Sequence, residues 1–195
     1  MTFIRRLKQL VRGEPAQASA GAAADDALHV LMVCTGNICR SPIAEGVLRK
    51  KLHQAGLGQR VVVDSAGTHG YHTSEPPDPR AIRLAAARGY DIKALRARPV
   101  DAGDFEDFDW ILALDEGHLS WLKRKSPGQP SELSGEARVV RIELLMNHAS
   151  RHKGQAEVPD PYYGPEAGFD HVLDLVEDAC DGVVAYLQAG GLAKA

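Results

Sequence analysis

The sequence predicts an α/β domain in three layers, a parallel four-stranded sheet with helices on both faces. Two patterns point there. Short apolar runs alternate along the chain with segments of helical spacing, which is how a covered parallel sheet reads. The first such run, Val30-Leu31-Met32-Val33, stops at a glycine-containing loop that opens a helix. Ligands of such sheets sit beyond the carboxyl ends of the strands, and Cys34 falls at that edge.

The elements follow in order. Val30 to Val33 is a buried strand. Pro42 fits a first helical turn, and Ile43, Val47, Leu48 and Leu52 give that helix an apolar face ending near Gly56. Val61-Val62-Val63 is a second strand. Ser65 to Pro79, with its glycines and prolines, reads as a long loop. Ala81 to Arg88 is helical and stops at Gly89. Asp109 to Leu114 is a third strand and Leu119 to Lys123 a short helix. Arg138 to Ile142 is a fourth strand. A loop from Val158 to Gly168 leads into a last helix from about Phe169 to Leu187. No internal repeat is present.

Residues 1–27 stand apart as an N-terminal extension, and residues 28–195 form the domain. Phe3, Ile4, Leu7, Leu10 and Val11 recur at helical spacing among Arg5, Arg6, Lys8 and Arg12. This is a basic amphipathic segment suited to an anionic membrane surface or a partner; an extra packed helix or a frayed tail are the alternatives. Gly13 to Ala27 reads as an Ala/Gly linker. The 195 residues carry a formal net charge of -3, so no global basic field argues for nucleic acid. Three cysteines argue against a disulfide scaffold and for a reducing, cytoplasmic compartment. No apolar run has the length of a membrane span.

The chemistry concentrates in Val33-Cys34-Thr35-Gly36-Asn37-Ile38-Cys39-Arg40-Ser41. The loop offers a thiol, backbone N–H groups and a guanidinium to one small anion. A helix N-terminus favours an anion and favours a thiolate over a thiol. Arg40 can grip two phosphate oxygens with its planar fork; a cation in a first helical turn opposes the helix dipole, so an anionic partner explains it. Ser41 can cap the helix or donate to the Cys34 sulfur. A nucleophile inside a phosphate cradle points to phosphoryl transfer through phosphocysteine.

With these residues in view, the chain resembles the low-molecular-weight protein tyrosine phosphatase family from about Leu28 to Leu187. The resemblance rests on the Cys34 loop through Pro42, then Asp64-Ser65-Ala66-Gly67-Thr68, Pro76-Pro77-Asp78-Pro79-Arg80, Asp104-Phe105 with Phe108-Asp109, and Asp160-Pro161-Tyr162-Tyr163-Gly164. It implies a phosphatase I-like sheet in the order 2-1-3-4 and no cofactor or metal. It implies Cys34 as nucleophile, Arg40 as phosphate clamp and Asp160 as general acid, with Thr35, Gly36, Asn37, Ile38, Cys39 and Ser41 forming the phosphate loop. Asn37 would hold that loop in a left-handed conformation, which Asn tolerates well, with Ser65 among its partners. Tyr71, Tyr162 and Tyr163 would contact the substrate ring. His69 and His72, beside Tyr71, either tune substrate choice or are solvated loop residues. Cys39 is either a redox partner of the nucleophile or a packing residue, and Cys180 belongs to the core.

One departure is evident. Many relatives place a His where this chain has Leu95, so the network under Asn37 and Ser65 is expected to be rearranged or filled by water. The implied partner is a phosphotyrosine protein, a tyrosine kinase among the candidates. The implied state is a monomer, with weak dimerisation as the alternative. Two rivals are a thiol-dependent arsenate reductase on the same fold and a phosphate-binding module without turnover. The first needs two further redox cysteines where only Cys180 is available; the second has no need of Cys34 or Asp160.

Overall fold

The computed structural model describes residues 27–127 and 140–191. The extension therefore lies outside the described residues except for Ala27, which is buried. Four strands, β1 (Leu28–Cys34), β2 (Val61–Gly67), β3 (Trp110–Ala113) and β4 (Arg141–Leu144), form one sheet in the order β2-β1-β3-β4. All neighbours are parallel, with Cys34 opposite Gly67 and Val33 opposite Ala113. This is the expected topology.

β1 is central and alternates with period two. Val30, Met32 and Cys34 enter one core layer, and Leu31 and Val33 enter the other. The first layer is closed by α1 (Arg40–Gln54) and α5 (Ala167–Gln188) through Ile43, Val47, Leu48, Phe169, Val172 and Val176. α2 (Pro79–Ala87) adds Ala81 and Ala85 to it. The second layer is closed by α3 (Asp104–Asp107) and α4 (Glu116–Lys125) through Phe105 and Leu122, with Phe108 just beyond α3. Burying each large apolar side chain contributes roughly 1.5–3 kcal/mol. Among the described residues no helix is long and apolar enough to cross a membrane.

Several boundaries and elements differ from the sequence reading. β2 runs on to Gly67, because Ser65, Ala66 and Gly67 keep pairing with Met32, Val33 and Cys34; they are strand, not loop. α1 starts at Arg40, with Cys39 at the cap position, so Ser41 lies inside the first turn and is not the capping residue. α3 and a 3-10 turn at Leu145–His148 are additional. β4 ends at Leu144, two residues beyond the expectation, and the expected start at residues 138–139 lies outside the described residues. α2 and α4 begin on aspartate caps, Asp78 accepting from the Arg80 N–H and Asp115 from the His118 N–H.

α5 carries a fully buried carboxylate, Asp178. It accepts from the backbone N–H groups of Ser150, Arg151 and His152, the Ser150 hydroxyl and the His152 ring Nδ1 at 2.8 Å. It thereby fastens the chain that leads to the late loop. Burial alone would raise its pKa, but these donors hold it well below the usual carboxylate range. A depressed carboxylate stabilises the fold fully above its unfolded value, about 3.9, and loses that contribution as pH falls toward its lower folded value. Asp178→Asn is expected to cost about 3 kcal/mol at pH 7, since an amide turns a donor toward donors. The gap between variant and parent in urea denaturation should narrow below about pH 4. A gap constant from pH 7 to pH 3 would contradict this account.

Candidate active site

The loop between β1 and α1 turns at Asn37, whose φ is 58°. Its side chain fixes that strained turn from three sides. Nδ2 donates to Ser65 Oγ at 2.8 Å and to Ser41 Oγ at 2.9 Å, and Oδ1 accepts from the Arg98 N–H at 2.9 Å. Below it, Ser65 Oγ donates to Glu45 Oε2 at 2.6 Å. Glu45 is 2% exposed and its other oxygen is paired with Arg49, four residues on, which also reaches the Val63 carbonyl at 3.2 Å. This is how the fold manages without the expected imidazole. Leu95 packs on the core, and the support under Ser65 is a buried carboxylate neutralised from its own helix.

The loop is pressed against the end of β2. Thr68 N–H donates to Cys34 O and His69 N–H to Thr35 O. A Cβ at Gly67 would lie 2.6 Å from Thr35 O and 3.1 Å from the Asn37 nitrogen, so only glycine permits this approach.

Cys34 Sγ lies 3.0 Å from Ser41 Oγ at the floor of the loop. Ser41 Oγ also lies 3.3 Å from Ala66 O. One hydroxyl proton serves either the sulfur or that carbonyl. As a thiolate, Cys34 takes it. As a thiol, Cys34 donates and Ser41 turns to Ala66. The first N–H groups of α1 face the same end and have no partner within the helix.

Arg40 is almost wholly buried. Nη1 donates to Asp115 Oδ2 at 2.7 Å and Val158 O at 3.2 Å. Nη2 donates to Asp160 Oδ2 at 2.8 Å and Thr35 Oγ1 at 3.3 Å. The anions that it holds in this structure are thus two protein carboxylates. Asp160 is half exposed and opens the turn at Pro161, its Oδ1 accepting from the Tyr162 N–H at 3.2 Å. Arg80 secures this late loop by donating to Tyr162 O at 2.9 Å and Gly164 O at 3.2 Å while paired with Asp78 and stacked on Phe169.

The three tyrosines expected at the substrate ring differ in setting. Tyr71 is exposed and stacks on His69, centroids 5.1 Å apart. Tyr162 meets Tyr163 edge-on at 4.8 Å, and Tyr163 stands 96% exposed. The His72 ring lies against Gly36 and 6.1 Å from Tyr162. Ile38 and Cys39 are buried. Burial, then the Asp78 carboxylate, push the Cys39 thiol far above its ordinary range. Cys180 is completely buried on α5, its sulfur 4.0 Å from Ala44 O.

Sequence reasoning missed Asp115, His118, Glu45 and Arg49, and gave Arg80 no role. Only Asp115 left a local signal, a helix-capping residue directly after a strand at the ligand edge. The arrangement brings a thiol, a guanidinium and two carboxyl groups to the loop at the end of β1.

The model of the family described as low molecular weight phosphotyrosine protein phosphatase matches residues 29–191. A low molecular weight protein-tyrosine-phosphatase of Streptomyces coelicolor is 42% identical over 158 residues, 80% of this chain and 92% of that protein. The human low molecular weight phosphotyrosine protein phosphatase is 38% identical over 151 residues, 77% of this chain and 90% of that protein. Among solved structures, the protein tyrosine phosphatase of Entamoeba histolytica with Hepes in the active site superimposes with a TM-score of 0.77 at 37% identity, covering 85% of this chain and all of that one. A Drosophila arginine phosphatase superimposes at 0.71 and 30% identity, covering 85% of this chain and 99% of that one.

Proposed function

The chain belongs to the low molecular weight phosphotyrosine protein phosphatase family and is a protein-tyrosine phosphatase, and from that premise we propose how its own residues carry the reaction. Cys34, as thiolate, attacks phosphorus. The P–O bond to the phenolate breaks as Asp160 gives that oxygen its proton. Arg40 and the backbone N–H groups from Thr35 to Ser41 hold the equatorial oxygens, where fixed donors contribute most. In the second step the Asp160 carboxylate takes a proton from water, the water oxygen bonds to phosphorus, and the S–P bond breaks. The Ser41 hydroxyl donates to the departing sulfur.

The observation that carries this reading is the pair of contacts at the two ends of one guanidinium loop: Cys34 on Ser41 at 3.0 Å, and Arg40 on Asp160 at 2.8 Å. Substrate phosphate competes with Asp160 for Nη2 and so frees the carboxyl group over the mouth. Tyr71, Tyr162 and Tyr163 give the aryl ring its walls. We assign residues 28–195 to the catalytic domain and residues 1–27 to an accessory extension. The partner is a phosphotyrosine protein, a tyrosine kinase among them. A working thiol requires a reducing compartment, the cytoplasm, and the three free cysteines support this. Cys39, held as a thiol, acts in redox control only after peroxide converts Cys34 to a sulfenic acid; its sulfur then displaces the hydroxyl, which leaves as water, and a disulfide forms.

The test is hydrolysis of p-nitrophenyl phosphate and of phosphotyrosine, phosphoserine and phosphoarginine peptides, with EDTA present. Aryl substrates and phosphotyrosine should turn over and phosphoserine should not. Inertness toward both aryl substrates, or turnover of phosphoarginine alone, would overturn the assignment.

A further inference from the structure

His118 is almost wholly buried beneath the site, on the first turn of α4. Its Nε2 lies 2.9 Å from Thr35 Oγ1, and its Nδ1 lies 2.9 Å from Asp115 Oδ1. With the contacts of Arg40 to Asp115 and to Thr35, these close a ring: Arg40, Asp115, His118, Thr35 and back to Arg40. Nδ1 faces the Asp115 carboxylate, which caps the same helix.

We propose that His118 is a positioning residue whose protonation sets the direction of the Thr35 hydroxyl and the grip on Arg40. The proposal rests on the phosphatase reading and deepens it. Thr35 Oγ1 already accepts from Arg40 and has one proton to give. Neutral His118, with its hydrogen on Nδ1, presents Nε2 as an acceptor and takes that proton away from the phosphate loop. Protonated His118 donates from Nε2 instead. Thr35 then accepts from two donors, and its own O–H is released toward a bound phosphoryl oxygen. The same imidazolium draws on Asp115 and loosens the hold of that carboxylate on Arg40, leaving the fork freer for phosphate.

Charged groups on several elements face the ring. Asp115 caps its own helix, Arg40 comes from α1, and Asp160 reaches it through Arg40. On the outer side Glu157 accepts from the Glu116 N–H. Burial would raise the pKa of Asp115, but donation from the His118 ring and backbone and from Arg40 keeps it well below the carboxylate range. It therefore stays ionised across the assayed range.

The experiment measures kcat and KM for p-nitrophenyl phosphate, and inhibition by inorganic phosphate, from pH 5 to 8. It compares the full chain with His118→Gln and His118→Leu, with melting curves as a check on folding. In the parent, phosphate should bind about tenfold more weakly as His118 loses its proton, beyond the change due to phosphate itself. His118→Gln, whose amide still donates to Thr35 but does not titrate, should remove that ionisation and keep most of the low-pH activity. His118→Leu should bind phosphate about tenfold more weakly at every pH. Superimposable profiles of an active parent and His118→Gln would overturn the proposal and leave the phosphatase reading intact. A parent inert toward the aryl substrate would instead overturn the reading beneath it.

Discussion

Replacing Cys34 by Ser is expected to abolish turnover, lowering kcat for p-nitrophenyl phosphate by about 10^5-fold or more. The reason lies in the nucleophile, not in binding. A serine hydroxyl holds its proton far more tightly than a thiol, and the N-terminus of α1 with one Ser41 hydroxyl does not supply the difference. A group over the leaving side does not help either, since Asp160 is bonded to Arg40 and not to the sulfur. The fold should be untouched. The side chain is buried but small, and the Ser41 hydroxyl, 3.0 Å from the sulfur, can pair with a hydroxyl at the same place. Inorganic phosphate should still raise the melting temperature of the variant, because Arg40 and the backbone cradle remain. A variant within tenfold of the parent would assign the nucleophile elsewhere. A variant that melts normally but is blind to phosphate would mean that the thiolate itself organises the cradle.

The parallel α/β class was legible in the alternation of short apolar runs with helical segments, whereas the strand order came from the family resemblance. A short apolar run such as Val30 to Val33, ending at a glycine-containing loop, fits a strand covered on both faces. The left-handed turn at Asn37 was implied by the same resemblance and suits an asparagine, and φ is positive there. What supports Ser65 was not legible. Glu45 and Arg49 look like an ordinary helical i,i+4 pair, and only the packing of α1 against β2 buries the carboxylate beneath Ser65. Asp115 and His118 were hidden for a similar reason. They reach Arg40 and Thr35 across roughly 80 residues of chain; Asp115 shows locally only as a cap after a strand, and His118 shows nothing that sets it apart from a surface helix. Strand ends failed where pairing, not composition, decides them, as at Ser65 to Gly67.

Asp160→Asn should separate substrates by their leaving groups. Phenyl phosphate releases a basic phenolate and needs the proton, so its kcat should fall about 10^2 to 10^4-fold. A dinitrophenolate leaves unaided, so formation of phosphocysteine from dinitrophenyl phosphate should change far less. Its hydrolysis still lacks the base that activates water, and the variant should release one equivalent of dinitrophenolate in a burst before a slow steady state. The ion pair with Arg40 adds a second, opposite effect. In the parent, phosphate must compete with the Asp160 carboxylate for Nη2 at 2.8 Å. An amide in its place neither repels the anion nor holds the guanidinium as strongly, so inorganic phosphate should bind the variant more tightly than the parent even as turnover collapses. Slower chemistry with stronger product binding is hard to produce by general disorder of the loop, which would weaken both. Equal losses on the two substrates without a burst would remove Asp160 from the acid–base role, and weaker phosphate binding would show that its contact with Arg40 holds the clamp open and does not obstruct it.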